Sequence, residues 1–129
     1  MKTGSCACGA VRFEVDGDPT GVTYCHCSKC RRWHGHVGAY TAFLREGFRL
    51  VESDALKWWA ANERVRRGFC GECGSSLFWD EDGDKRMAIC AGVLDAPTGL
   101  VSKAHIYTDS KGDYYTLPDD GLVRYGTMP

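Results

Sequence analysis

The chain holds only four prolines among 129 residues, its longest apolar runs fall well short of the roughly 18 residues a spanning helix needs, and neither sign of charge prevails. Each shortage excludes something. Sparse proline and aperiodic glycine exclude a collagen-like chain, and 43% hydrophobic residues exclude a disordered one. Sixteen basic residues against seventeen acidic ones leave a formal charge of −1, which gives no reason to expect nucleic acid or an anionic membrane as partner. The N-terminus, Met1-Lys2-Thr3-Gly4-Ser5-Cys6, lacks the apolar centre of a signal peptide, so the expectation is a cytoplasmic protein. The length predicts one domain over residues 1–129.

Cysteine, by contrast, is plentiful. Eight cysteines in a chain expected in a reducing compartment raise the question of metals or catalysis before that of disulfides. Seven of them fall into three groups: Cys6 and Cys8, then Cys25, Cys27 and Cys30, then Cys70 and Cys73. A pair of cysteines separated by one or two residues presents two sulfurs from one turn, and two such pairs complete a tetrahedral zinc site. Cys6 and Cys8 with Cys70 and Cys73 are the natural combination, with free buried thiols or adventitious disulfides as the alternative. Glycines after each pair are expected to free amide N–H groups toward the sulfurs. Such a site would close a loop of more than sixty residues, and its loss should unfold the domain.

The central group has a different character. Cys25, Cys27 and Cys30 supply three ligands, which suggests a metal with an open position for a thiolate, although a redox-sensitive thiol group is the competing reading. His26 cannot easily share the metal with both neighbours, but it could serve as an acid or base beside it. Around the group lie Lys29, Arg31, Arg32, His34 and His36, which either lower thiol pKa and attract carboxylates or form a solvated helix face. Arg64, Arg66 and Arg67 form a second basic run before Cys70; on a strand the first two share one face and Arg67 points to the other. One ligand contact is expected among the three. Cys90, His105 and the four tryptophans read as packing, with an exposed tryptophan available to cover a ligand.

Short alternating segments indicate an all-β fold. Strands are predicted over residues 10–15, 38–43, 48–51, 55–59, 64–69, 76–79, 87–91 and 101–107, with a hairpin turn at Asp82-Gly83. One short helix is predicted at residues 29–34, capped by Ser28 and ended by Gly35. Residues 109–129 read as an irregular arm.

Three blocks of this sequence resemble a known family: Gly4-Ser5-Cys6-Ala7-Cys8-Gly9, Cys25-His26-Cys27-Ser28-Lys29-Cys30-Arg31-Arg32 and Phe69-Cys70-Gly71-Glu72-Cys73-Gly74-Ser75. They are similar to the glutathione-dependent formaldehyde-activating enzymes, a family that includes centromere protein V. Ala91-Gly92-Val93-Leu94-Asp95, His105-Ile106, Lys111 and Tyr114 extend the likeness. The resemblance implies a β-tent, two layers of antiparallel sheet clamped by a structural zinc on Cys6, Cys8, Cys70 and Cys73. It further implies a catalytic zinc on Cys25, Cys27 and Cys30, and a reaction adding glutathione to formaldehyde. Tyr114 and Tyr115 stand where relatives commonly place a tryptophan. The expectation is a carbon–sulfur lyase in which His26 or water moves the proton and Arg31, Arg32, Arg64 or Arg66 holds the thiol's carboxylates. The alternative is a non-catalytic thiol carrier or protein-interaction module.

Overall fold

The alternation in residues 10–15 becomes strand β2 (Arg12–Val15), which buries Phe13 and Val15 while Arg12 faces solvent. The computed structural model describes residues 1–129. β2 is the centre of a three-stranded antiparallel sheet, flanked by β1 (Lys2–Ser5) and β5 (Phe48–Glu52). The remaining strands, β3 (Val22–Cys25), β4 (Gly38–Leu44), β6 (Leu56–Ala60), β7 (Val65–Cys70), β8 (Ser76–Glu81), β9 (Arg86–Cys90), β10 (Ser102–Ile106) and β11 (Val123–Arg124), form a second sheet. Its order is β11-β10-β3-β4-β9-β8-β7-β6.

The core lies between the sheets. Phe13 and Val15 of the small sheet, with Val11 just before β2, meet Phe43, Leu77, Phe78, Met87 and Ile89 from the large one. Phe13 packs edge-on against Phe78, with ring centroids 5.3 Å apart, and tilted against Phe48 at 5.8 Å. Each such side chain removed from water contributes about 1.5–3 kcal/mol. The small sheet also meets the segment after β9 through the backbone, where Gly4 bridges Leu94 and the Asp95 N–H donates to the Thr3 carbonyl at 2.9 Å. A side chain on Gly4 would meet the Phe13 ring and the Val93 carbonyl, so only glycine permits this approach.

The mainly β architecture, the single α-helix and the β8–β9 hairpin through Asp82-Gly83 agree with the sequence reading. Several details correct it. The large sheet is not wholly antiparallel, because β10 runs parallel to both β3 and β11. β1, β3 and β11 were not predicted: they are strands of two to four residues defined by their partners rather than by their own pattern. Helix α1 (Ser28–His34) is capped by Cys27, whose sulfur accepts from the Cys30 N–H, while Ser28 is already its first residue. Gly35 ends it as expected, at φ 81°.

Candidate metal centres and their surroundings

Cys6 follows β1, Cys8 stands in the turn after it, Cys70 closes β7 and Cys73 lies in the next turn. All four sulfurs lie within 4.8 Å of one another. Cys6 Sγ is 3.6 Å from Cys8 Sγ, which is 3.8 Å from Cys70 Sγ. A tetrahedron of sulfurs about 2.3 Å from zinc has edges of about 3.8 Å, so the donor set fits such an ion. Backbone amides point at the sulfurs: Val11 N–H donates to Cys6 at 3.2 Å, and Glu72 and Cys73 N–H both donate to Cys70 at 3.4 Å. The glycines do not supply these donors. Gly74 instead turns the chain at φ 81° and donates to the Cys70 carbonyl at 2.8 Å.

The four thiols cannot all ionise without a cation. Bonds from Ser75 pull Cys73 down to about 5. Despite an amide bond from Ala10, burial and the three neighbouring sulfurs push Cys8 up to about 12.

The second group forms where β3 ends and α1 begins. Cys25 and Cys30 are buried, Cys27 is half-buried, and their three sulfurs also lie within 4.8 Å. Cys30 N–H donates to Cys27 Sγ at 3.3 Å. A hydrogen bond from the Cys25 thiol, aided by Arg67, draws Cys30 down to about 6, and the same bond raises Cys25. Cys90 is buried nearby, bonded to Ser76 Oγ at 3.4 Å, and does not join either group of ligands.

The basic run at the start of β7 divides as alternation requires. Arg67 turns toward α1 and is 4% exposed, with Nη2 3.7 Å from Cys30 Sγ and Nη1 donating to the Tyr40 hydroxyl at 3.3 Å. Tyr40 in turn bonds His34 Nε2 at 2.6 Å. Arg66 and Arg64 turn the other way: Arg66 pairs with Asp80 at 2.8 Å and lies over the Trp58 ring, and Arg64 reaches the Asp82 carbonyl. They line a surface cavity of about 670 Å³ with Arg45 and Asp80, in which no cysteine takes part. The structure therefore does not bring Arg64 and Arg66 to the central cysteines, because strand register sends them to the opposite face. Arg31 and Arg32 ride on α1 beside Cys30.

His26 is buried and fully engaged. Its Nδ1 meets the Tyr115 hydroxyl at 2.6 Å, its Nε2 meets His105 Nδ1 at 2.8 Å, and His105 Nε2 reaches Asp120 at 2.8 Å. The carboxylate accepts from His105 Nε2–H, so His105 Nδ1 accepts from His26 Nε2–H, and Tyr115 O–H donates to His26 Nδ1. Burial depresses His26 to about 4, which keeps it neutral. Tyr24, His36, Thr116 and Leu122 join these groups around a cavity of about 490 Å³. His105 is thus the buried, satisfied histidine that its strand position suggests. Asp120 and Tyr40 carry no sequence signal, because their partners are distant in the chain. Trp59 is half exposed and stacks on Trp33 of α1 at 5.5 Å, while Trp58 packs inward on Phe78.

A family model described as glutathione-dependent formaldehyde-activating enzyme matches residues 1–110. The chain belongs to this family. An uncharacterized lyase of Schizosaccharomyces pombe is 25% identical over 114 residues, covering 87% of this chain and 82% of that protein. A crystal structure of a Rhodobacter sphaeroides protein superposes with a TM-score of 0.61 at 22% identity, covering 95% of this chain and 98% of the other, and shares its fold. At the level of the family, these matches support a lyase of the glutathione-dependent formaldehyde-activating type. The matched segment ends before Tyr115 and Asp120, so the arm that engages His26 and His105 lies beyond it. No helix is long and apolar enough to cross a membrane.

Proposed function

We propose that this protein is a carbon–sulfur lyase that joins a small thiol, glutathione or one like it, to a small aldehyde such as formaldehyde. The observation that carries the reading is the second cysteine group: three sulfurs converge on a point and no fourth protein ligand completes it. In this reading Cys6, Cys8, Cys70 and Cys73 hold a structural zinc, and Cys25, Cys27 and Cys30 hold another. Zinc with a vacant position supplies a place where a thiol loses its proton near neutral pH.

The reaction forms one C–S bond, moves the carbonyl π pair onto oxygen, and transfers the thiol proton to that oxygen. The chain's residues divide the remaining work. Arg31 and Arg32, beside Cys30 on α1, are placed to hold the carboxylates of the thiol. Arg64 and Arg66 are occupied by Asp82 and Asp80 on the other face and are not assigned that role. His26 takes part through Tyr115 rather than directly, since both its nitrogens are bonded; it holds the Tyr115 hydroxyl in a fixed orientation. Tyr115 is the group through which a proton would pass.

The test is metal content together with thiol binding on protein purified without chelator. The reading expects about two zinc ions per chain and saturable binding of glutathione or another low-molecular-weight thiol. One zinc per chain and no thiol binding would reject it in favour of a non-catalytic carrier or interaction module.

A further inference from the structure

Arg67 is an unusual residue for the interior of this molecule. Its guanidinium is always charged, it is 4% exposed, and none of the chain's carboxylates pairs with it. The arginines of the ion pairs are Arg45, Arg49 and Arg66, each of which reaches an aspartate or glutamate. A buried charge without a counter-charge is strongly disfavoured, so something at the site must supply negative charge. What faces Arg67 is sulfur. Nη2 points at Cys30 Sγ from 3.7 Å, Nη1 is held by the Tyr40 hydroxyl, and the Trp33 ring closes the remaining side at 5.8 Å.

We infer that Arg67 is a positioning residue whose fixed positive charge balances the cysteine group in its metal-bound state. The inference rests on the reading that Cys25, Cys27 and Cys30 hold a divalent ion. Three thiolates and one divalent cation leave a single net negative charge, and one guanidinium cancels it. Three neutral thiols would leave Arg67 unbalanced; a lone Cys30 thiolate would balance it without a metal, and zinc competition separates that state from the metal-bound one. The four-cysteine group has no such arginine; its sulfurs take amide hydrogen bonds and two of them reach solvent, where water screens the charge. The two groups therefore differ in design: one is neutralised from within the core, the other is solvated. The Arg67 charge would also let the central group accept an anionic fourth ligand more readily than the same group without it.

The decisive experiment measures zinc affinity at each site by competition with a chromogenic chelator in wild type, Arg67→Met and Arg67→Lys. Loss of a partner that orients a metal ligand typically weakens metal binding by roughly 10- to 100-fold. Arg67→Met is expected to lose zinc from the central group by a factor of that size while the four-cysteine group holds its zinc unchanged, and Arg67→Lys is expected to recover part of the loss. Cobalt substitution gives a second readout: the intensity of the cobalt–sulfur charge-transfer band should fall by the contribution of three cysteines in Arg67→Met. Retained zinc at the four-cysteine group shows that the variant is folded. Two zinc ions in wild type with an unchanged competition curve in Arg67→Met would overturn this inference alone. One zinc in wild type would overturn the metal reading of the central group, and this inference with it.

Discussion

Cys8 Sγ and Cys70 Sγ lie 3.8 Å apart although 62 residues separate them in the chain. Through them the end of β1 is tied to the end of β7, so the small sheet and the large one share one group of sulfurs. Cys70 is completely buried and accepts two amide hydrogen bonds. On the reading that this group holds zinc, Cys70→Ser is expected to lose that ion and abolish the cooperative thermal transition, since metal binding at such sites is folding free energy. Circular dichroism melting alongside zinc analysis checks this; a variant that melts like wild type would show the fold does not depend on the site.

Gly4 and Phe13 set a second dependence. An added methyl at Gly4 has nowhere to go between the Phe13 ring and the Val93 carbonyl. Gly4→Ala should cost about 1–3 kcal/mol through overpacking, and Phe13→Ala about 3–5 kcal/mol through the cavity it leaves. Urea denaturation of the zinc-loaded protein measures both, and a loss of less than about 0.5 kcal/mol in either would contradict the packing described.

Asp80 accepts from Arg66 and Arg45 at 2.8 and 2.6 Å. Burial alone would raise its carboxyl, but the two guanidiniums outweigh burial and hold it below the usual range. Asp80→Ala should destabilise by about 1–3 kcal/mol without altering zinc content. A change in zinc stoichiometry would mean that the arginine face and the cysteine face are coupled after all.

His26 and His34 both have folded values near 4, each depressed first by burial, with the Arg67 charge adding to the effect at His34. Unfolded histidine titrates near 6.5. Between these values the unfolded chain binds more protons than the folded one, so stability is fully present above about 6.5 and is lost as pH falls toward 4. His34→Gln removes one of the two groups and should flatten that decline in denaturation midpoint. An identical pH profile would show that His34 is already solvated.

Much of this was legible in the sequence. The spacings Cys6–Cys8 and Cys70–Cys73 mark two ligand pairs, because closely spaced ligands are a local property; their meeting across 62 residues is a long-range contact. The face on which Arg67 lies followed from alternation, but which face met the central cysteines did not, since that is set by the docking of α1 on β7. His26 was visible as a histidine between two ligands. Its partners Tyr115 and His105 lie 89 and 79 residues away, and no local pattern encodes that. β3 carries no local signature, because Val22-Thr23-Tyr24-Cys25 is short and its parallel pairing with β10 is a long-range contact.

The relay from Tyr115 to Asp120 gives a prediction specific to the arm. Tyr115→Phe removes the hydroxyl that donates to His26 and should slow thiol–aldehyde addition by roughly 10²- to 10⁴-fold with little change in zinc content or thiol affinity. Stopped-flow consumption of formaldehyde by glutathione measures it; unchanged turnover would take Tyr115 out of the proton path.

The zinc count of wild type against Cys30→Ser, determined by elemental analysis of protein purified without chelator, tests the two-metal assignment most directly. About two ions per chain falling to about one, with thiol binding lost in the variant, is the predicted result. One ion per chain in both proteins would contradict it.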